Sequence, residues 1–538
     1  MYLLSSFFLP LSFPGPQLHP FHPLPSTRKA MAGLDWKQWT QSASDPRSYA
    51  RLANNAELFE HCMQTMGGGD FIMHLCLTLC LESDVSPSGF LASARQAWLA
   101  LRRQIPSIGA TITGYGFDLT VTYRVPTEAE ADAWARETVT LYEGGGGDID
   151  EARFQLSSRP NPAEGSALGC FVYVVPTSNR REYGVVLVLN HTLFDGTGGK
   201  VVGGHYVDQL ANALRSGSSV PRITWGDEVK NLLPGYATIM AETELTDEES
   251  VKDAVNGLLG DVVSTAAIAH TVTYATKYIA NKDARTSTRV AVRELDQETS
   301  TRILAACKAR GWSVNHVANT ALSMVLASNN PPSTSTLDSA STSTSDSAST
   351  STPDRAAHVF WLAINCRDRL RPPYNAPRAY SAFAMCLMPL AIPIQDTFVP
   401  DEAPLDERKK RLLSVTANVV QPVYARAKTY PALLASEQEL LGMMLGPVIA
   451  AGGLPPQTNP LFLADGDAGK QIPSSCPGAF NVKRCVMSVN KRDGVPVCRL
   501  HSHGGQLVFN MDYNPEAIPR EVVEGWTQAW VDTVSLIL

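Results

Sequence analysis

VVLVLNHTLFDGTGGK, residues 185–200, decides the fold. Its first half is an unbroken run of Val and Leu that stops at Asn190. Such a run reads as a strand buried in a sheet. The second half changes character. His191 leaves the strand's carboxyl end, and Phe194 can anchor the turn in the core. Asp195 lies four residues beyond the histidine, and Gly196 lets the chain turn sharply. A Gly-rich helix start follows. The segment is therefore strand, short loop, helix. Ligands in α/β folds usually sit at strand carboxyl ends, where this histidine stands.

Working outward, the same alternation recurs. DFIMHLCLTLCLES (70–83) reads as a buried strand. In SPSGFLASARQAWLALRRQIPSIGATI (86–112), Phe90, Leu91, Ala94, Ala97, Trp98 and Leu101 share one helical stripe, and Pro106 ends it. Residues 116–125 predict a strand and 128–142 a charged helix. Residues 166–176 and 181–190 predict paired strands, and 195–214 a helix. A second lobe opens with a strand at 287–295. Two helices follow, over 296–311 (Asp296 as N-cap, Gly311 as stop) and 313–327. HVFWLAINCRDRLRPPY (358–374) is a strand running into an Arg-rich loop. The C-terminus predicts a strand at 506–513, a turn and an amphipathic helix. The unit DSASTST occurs at 338–344 and again at 346–352. Such a segment cannot bury enough apolar surface to offset its ordering entropy.

The resulting division is a disordered extension at 1–30, an N-terminal lobe at 31–225, a connector at 226–286 and a C-terminal lobe at 287–538. Residues 331–354 form a disordered insert in the last. A length of 538 residues is more than one core usually serves, which agrees with two lobes. The apolar N-terminus lacks a basic region and is broken by prolines, so it makes a poor signal peptide and no membrane span. LLGMMLGPVIAAGGL (440–454) is also too short to span a bilayer and reads as core or tunnel wall. The net charge of −7, with no Lys/Arg cluster, argues against nucleic acid as a partner. Ten scattered cysteines without a C-x-x-C pair read as reduced, buried thiols of a cytoplasmic protein.

Histidine titrates near neutral pH and serves as a general base when its ring is held in place. Two readings of Asp195 are open. It could orient the imidazole, as in a serine-protease triad, or face away and hold the loop by pairing with an arginine. The shortness of the loop favours the second. No G-x-S-x-G accompanies the histidine, so a serine nucleophile is missing. The simplest chemistry is a base acting directly on a substrate hydroxyl or amine. His501 and His503 would share a strand face, but no third metal ligand is evident. His74 reads as a core histidine. His205 and His316 lie on helices and either line a tunnel or pack. Lys200 could meet a phosphate, though a solvated lysine at a helix start is the plainer reading.

HTLFDG (191–196) resembles the H-x-x-x-D-G motif of the CoA-dependent acyltransferase superfamily, which includes chloramphenicol acetyltransferase and peptide-synthetase condensation domains. Residues 86–112 resemble its early helix, and INCRDRLRPPY its second-lobe arginine motif. The chain is most similar to the trichothecene 15-O-acetyltransferase-like group of fungal secondary metabolism. It lacks the D-F-G-W-G of the plant-type branch, and Asn190 stands where condensation domains carry a first histidine. The resemblance implies an α/β fold of two chloramphenicol-acetyltransferase-like lobes with a tunnel between them, and a monomer. It implies an O-acyltransferase using acetyl-CoA as co-substrate, with no permanently bound cofactor and no metal. The acceptor would be a hydroxyl of a small hydrophobic terpenoid or polyketide. His191 would be the general base. Asp195 would be salt-bridged to Arg367, with Arg369 the second choice, and Gly196 and Arg367 would support the site. The alternatives are acyl transfer from a polyketide carrier protein and a catalytically silent metabolite-binding relative.

Overall fold

The computed structural model describes residues 34–66, 71–159, 169–217, 224–244, 247–268, 270–271, 287–329, 356–400, 402–451 and 460–538. The predicted extension at 1–30 and insert at 331–354 lie outside them. A six-stranded sheet runs in the order Ser475–Cys476, Phe480–Val489, Met73–Leu81, Glu182–Leu189, Phe171–Pro176, Val139–Leu141. Met73–Leu81 and Glu182–Leu189 are antiparallel, with Met73 opposite Leu189. Both are near-continuous apolar runs because both faces are covered. Leu75, Leu77, Leu79, Leu187 and Leu189 point into the main core; Cys76, Val186 and Val188 point into a smaller cluster with Ala152 and Leu156 of helix Ile149–Ser157.

Helix Pro87–Gln104 begins where Ser86 Oγ accepts the Gly89 amide and Pro87 occupies the first turn. Its stripe Phe90, Ala94, Ala97, Trp98, Leu101 is fully buried, and Leu91 lies at the edge. Trp98 stacks on Trp134 at 5.7 Å. The helix anticipated over 128–142 stops at Thr138. Val139–Leu141 instead forms an edge strand parallel to Phe171–Pro176, where the β-branched Val139 and Thr140 fit a pleated surface better than a last helical turn. The strand anticipated over 116–125 opens with a tight turn, Gly116–Asp118, and extends only over Thr120–Arg124.

Of the three further sheets among the described residues, two supply walls of the cavity that His191 lines. One runs Arg289–Glu294, Gln506–Tyr513, Val497–His503, Leu461–Asp467; the other contains Met385–Pro393 and Ala356–Asn365. Terminal helix Arg520–Ser535 seals the former, with Trp530 fully buried and its indole N–H donated to Ala318 O. LLGMMLGPVIAAGGL falls within helix Leu433–Ala451 as far as residue 451, and Leu440, Leu441, Leu445 and Val448 are core residues. Among the described residues no helix is long and apolar enough to cross a membrane. All ten cysteines are free, and only Cys80 is exposed.

Candidate active site

The site forms where strand Glu182–Leu189 ends. Asn190 Oδ1 accepts the Thr192 amide at 2.9 Å and Asn190 O accepts the Leu193 amide at 3.0 Å, which turns the chain out of the sheet. Leu193 and Phe194 are buried, Phe194 completely. Truncating such a side chain costs about 3–5 kcal/mol, so the loop is firmly anchored. Thr192 Oγ1 accepts a bond from Gln64 on the neighbouring helix Asn55–Met66. His191, held between these anchors, lines a cavity of about 140 Å³. The cavity has apolar walls from Phe59 and Met63 of that helix, Trp361 and Leu387 of one further sheet, and Leu461 and Leu463 of another.

Asp195 caps the following helix, Gly196–Ser216, by accepting the Gly198 amide at 2.6 Å. Its carboxylate takes both arms of the Arg367 guanidinium, Nη2 to Oδ1 at 2.8 Å and Nη1 to Oδ2 at 3.0 Å. The Ala384 amide donates to Oδ2 at 3.0 Å. These bonds fill the oxygens' acceptor capacity. Of the two readings open for Asp195, the structure therefore has the arginine pair and not a bond to the imidazole. Arg367 is equally committed: Nε donates to Tyr380 O, Nη1 also to Asn365 Oδ1, and Nη2 also to Ala382 O. Arg369, the second choice, is elsewhere, binding Glu244 Oε1 at 2.5 Å and Tyr430 O at 2.8 Å.

Gly196 does not make the sharp turn expected of it. It is the first helical residue, it is not among the positive-φ glycines, and a Cβ there would meet only Asp465 Oδ1 at 3.5 Å. A glycine that the packing does demand near the motif is Gly198, whose Cβ would lie 1.9 Å from Ser381 O, in the loop that carries Arg367's backbone partners.

Lys200 is not solvated. It is buried against Asp465, donating to its carbonyl and lying 3.6 Å from its carboxylate. Arg499 binds the same carboxylate at 2.8 Å, and Asp465 and Arg499 both reach the cavity wall. Burial alone would raise the Asp465 carboxyl; Arg499 and Lys200 outweigh it and hold it down at about 2. His501 and His503 each bond a backbone carbonyl, of Cys485 and of Ile472. His74 bonds Ile72 O, just before its strand. His205 bonds Arg378 O, His316 packs on Tyr424 at 4.7 Å, and neither lines the cavity. Among the described residues no group of His, Cys, Asp and Glu could hold a metal ion. Burial pushes the Cys62 thiol, one turn from the cavity, up to about 11, the opposite of an activated nucleophile.

One site residue was not legible in advance. Glu60, from helix Asn55–Met66, lies in the cavity wall with Oε2 3.6 Å from His191 Nδ1. Burial raises its carboxyl above the ordinary value; the charge of a protonated His191 lowers it and Asp195 raises it further. The available signal is a Glu following Phe59 on a helix face that otherwise buries Ala56, Phe59 and Met63.

The sequence profile of a family described as 15-O-acetyltransferase Tri3 matches residues 35–350. Among solved structures, the chain is similar to the TRI3 trichothecene 15-O-acetyltransferase from Fusarium sporotrichioides. The identity is 16% and the TM-score 0.76, over 93% of this chain and 98% of that one. It is also similar to the EpoB cyclization-docking bidomain from Sorangium cellulosum, at 14% identity and a TM-score of 0.53, over 91% of this chain and 85% of that one. A third likeness is to polyketide synthase associated protein 5 from Mycobacterium tuberculosis, at 12% identity and a TM-score of 0.51, over 90% of this chain and 98% of that one. At these identities the shared property is the fold, the two-lobed arrangement of chloramphenicol acetyltransferase and condensation domains. No curated protein sequence matches significantly.

Proposed function

The chain belongs to the 15-O-acetyltransferase Tri3 family, and from that premise we propose that it moves an acetyl group from acetyl-CoA to a hydroxyl of a small hydrophobic terpenoid or polyketide, with His191 as general base. The observation that carries the reading is the disposition of the motif. His191 lines a cavity with largely apolar walls, while Asp195, also at the wall, has both carboxylate oxygens committed to Arg367 and two backbone amides. The imidazole is the cavity group suited to taking a proton near neutral pH. Apolar walls favour a hydrophobic acceptor and exclude water that would hydrolyse the thioester.

In the proposed step the acceptor hydroxyl gives its proton to His191 as its oxygen bonds the thioester carbonyl carbon. The tetrahedral oxyanion collapses, the C–S bond breaks, and the thiolate leaves with the proton from His191. No acyl-enzyme forms. Asp195 and Arg367 hold the loop and helix start and take no part in proton transfer.

The test is coenzyme A release by the full chain incubated with acetyl-CoA and a panel of hydroxylated terpenoids and polyketides. The panel includes a trichothecene with a free 15-hydroxyl, the acceptor named for the Fusarium relative. We expect acceptor-dependent release, a product heavier by one acetyl group, and a loss of about a hundredfold or more in His191→Ala. Equal rates in the two proteins, with acetyl-CoA binding confirmed, would reject the reading in favour of a carrier-protein donor or a silent binding protein.

A further inference from the structure

The geometry points to Glu60 as the positioning residue of this site: its carboxylate faces Nδ1 of His191 and holds the ring so that Nε2 meets the acceptor hydroxyl. The inference rests on the reading of His191 as base. It starts from an omission in the motif. A histidine base needs an orienting group on its second nitrogen, and Asp195 cannot serve, because Arg367, Gly198 and Ala384 occupy its oxygens. His191 Nδ1 is buried and has no hydrogen-bond partner. The carboxylate nearest to it is Glu60, at 3.6 Å.

That distance is longer than a hydrogen bond, as such pairs often are before substrate binds. Hydrogen bonds frame the pair. Glu60 and Gln64 lie one turn apart on the same helix face, and Gln64 bonds Thr192, the residue after the base. The helix start is pinned in turn by Glu57, which accepts the Asn54 amide and a paired Arg51. The charged groups around Glu60 are His191 from the loop, Asp195 from the next helix start, and Asp465 and Arg499 across the cavity. Asp195, Asp465 and Arg499 are already paired, which leaves the imidazole as the partner for Glu60.

The proton count is unchanged by this arrangement. His191 carries its resting proton on Nδ1, toward Glu60. Nε2 receives the acceptor's proton as the new C–O bond forms, the imidazolium faces the Glu60 carboxylate, and Nε2 returns that proton to the thiolate when the C–S bond breaks. Glu60 itself neither gains nor loses a proton.

The ring can be read without substrate. In full-length protein with ¹⁵N-labelled histidine, the His191 signals are those absent from His191→Ala. We expect the neutral ring to carry its proton on Nδ1, and Glu60→Gln to lower the His191 pKa by about one unit or more. With an active acceptor, kcat in Glu60→Gln should fall about tenfold or more while the KM for acetyl-CoA stays within about twofold, and Glu60→Asp should recover part of the loss. A purely structural Glu60 would lower the melting temperature and leave the His191 pKa in place. An Nε2-protonated neutral ring in the wild type overturns the inference, as does an unchanged pKa in folded Glu60→Gln. Should Glu60→Gln not fold, the wild-type ring decides. If the ring behaves as expected but no acceptor is acetylated, the acyltransferase reading fails and the pair stands.

Discussion

At the scale of the residue, the decisive fact is where Asp195 spends its charge. A buried carboxylate stripped of its counter-ion costs about 3–5 kcal/mol, and Asp195 is almost wholly buried. Arg367→Ala should therefore destabilise the protein by about that amount, read as a lowered melting temperature, and abolish acetyl transfer with the loop no longer held. Arg367→Lys should rescue little, because a point charge cannot reproduce the bidentate fork and the bonds to Tyr380, Asn365 and Ala382. Activity and melting temperature unchanged in Arg367→Ala would exclude the pairing as a support of the site. A second buried carboxyl gives a pH signature. Glu437, bonded by the Tyr236 hydroxyl, is raised by burial to about 8 from an ordinary 4.5. The folded chain then holds a proton that the unfolded chain has released, so the contribution is fully present below pH 4.5 and is lost as pH rises toward 8. Glu437→Gln keeps the acceptor for Tyr236 and removes the titration. Its melting temperature should match wild type near pH 5 and exceed it near pH 8, the gap in stability growing by at most about 1.4 kcal/mol per pH unit. Parallel melting curves against pH for the two proteins would contradict this.

At the scale of the element, helix Gly196–Ser216 joins the His191 loop to the segments at Ser381 and Gln471, and its glycines are not equivalent. Gly198 abuts Ser381 O and Gly204 abuts Gln471 O, each 1.9 Å from where a Cβ would stand, whereas Gly196 has ordinary clearance. Backbone cannot swing aside as a side chain can. Gly198→Ala should cost about 2 kcal/mol or more and displace the Arg367 loop, lowering activity, while Gly196→Ala should keep both within about 0.5 kcal/mol and twofold. Equal melting temperatures for the two variants would refute the ranking. Elements were the most legible level. The stripe Phe90, Ala94, Ala97, Trp98, Leu101 and the run at 185–189 are periodic signals that packing left intact. The strand Val139–Leu141 has the local pattern of a helix, because local pattern cannot show that an edge of a sheet is waiting for it.

At the scale of the molecule, the sheets do not respect chain order. Phe480–Val489, from the far end of the sequence, pairs along the whole of Met73–Leu81, with Phe480 opposite Leu81 and Val489 opposite Met73. Without it, Met73–Leu81 would be an open apolar edge beside the site. A chain cut between residues 286 and 287 should therefore give an N-terminal piece that aggregates when expressed alone and becomes soluble on co-expression with residues 287–538. A soluble, cooperatively melting 1–286 fragment would show that the crossing strand is dispensable.

By itself the sequence determined the strand–loop–helix around His191, the alternation that makes an α/β protein, the apolar faces of its long helices, and the profile match over residues 35–350 that gives the family. These are local, because hydrophobic period, caps and turn residues act within a few positions of one another. Only the tertiary structure decided that Asp195 is bound to an arginine 172 residues away, that Gly198 and not Gly196 carries the steric demand, that Lys200 is buried on Asp465, and that Glu60 faces the imidazole. Each of these is a meeting of distant segments. A carboxylate or a lysine reads the same in sequence whether solvated or paired in a core, and the charge it meets is set by sheet order and helix packing.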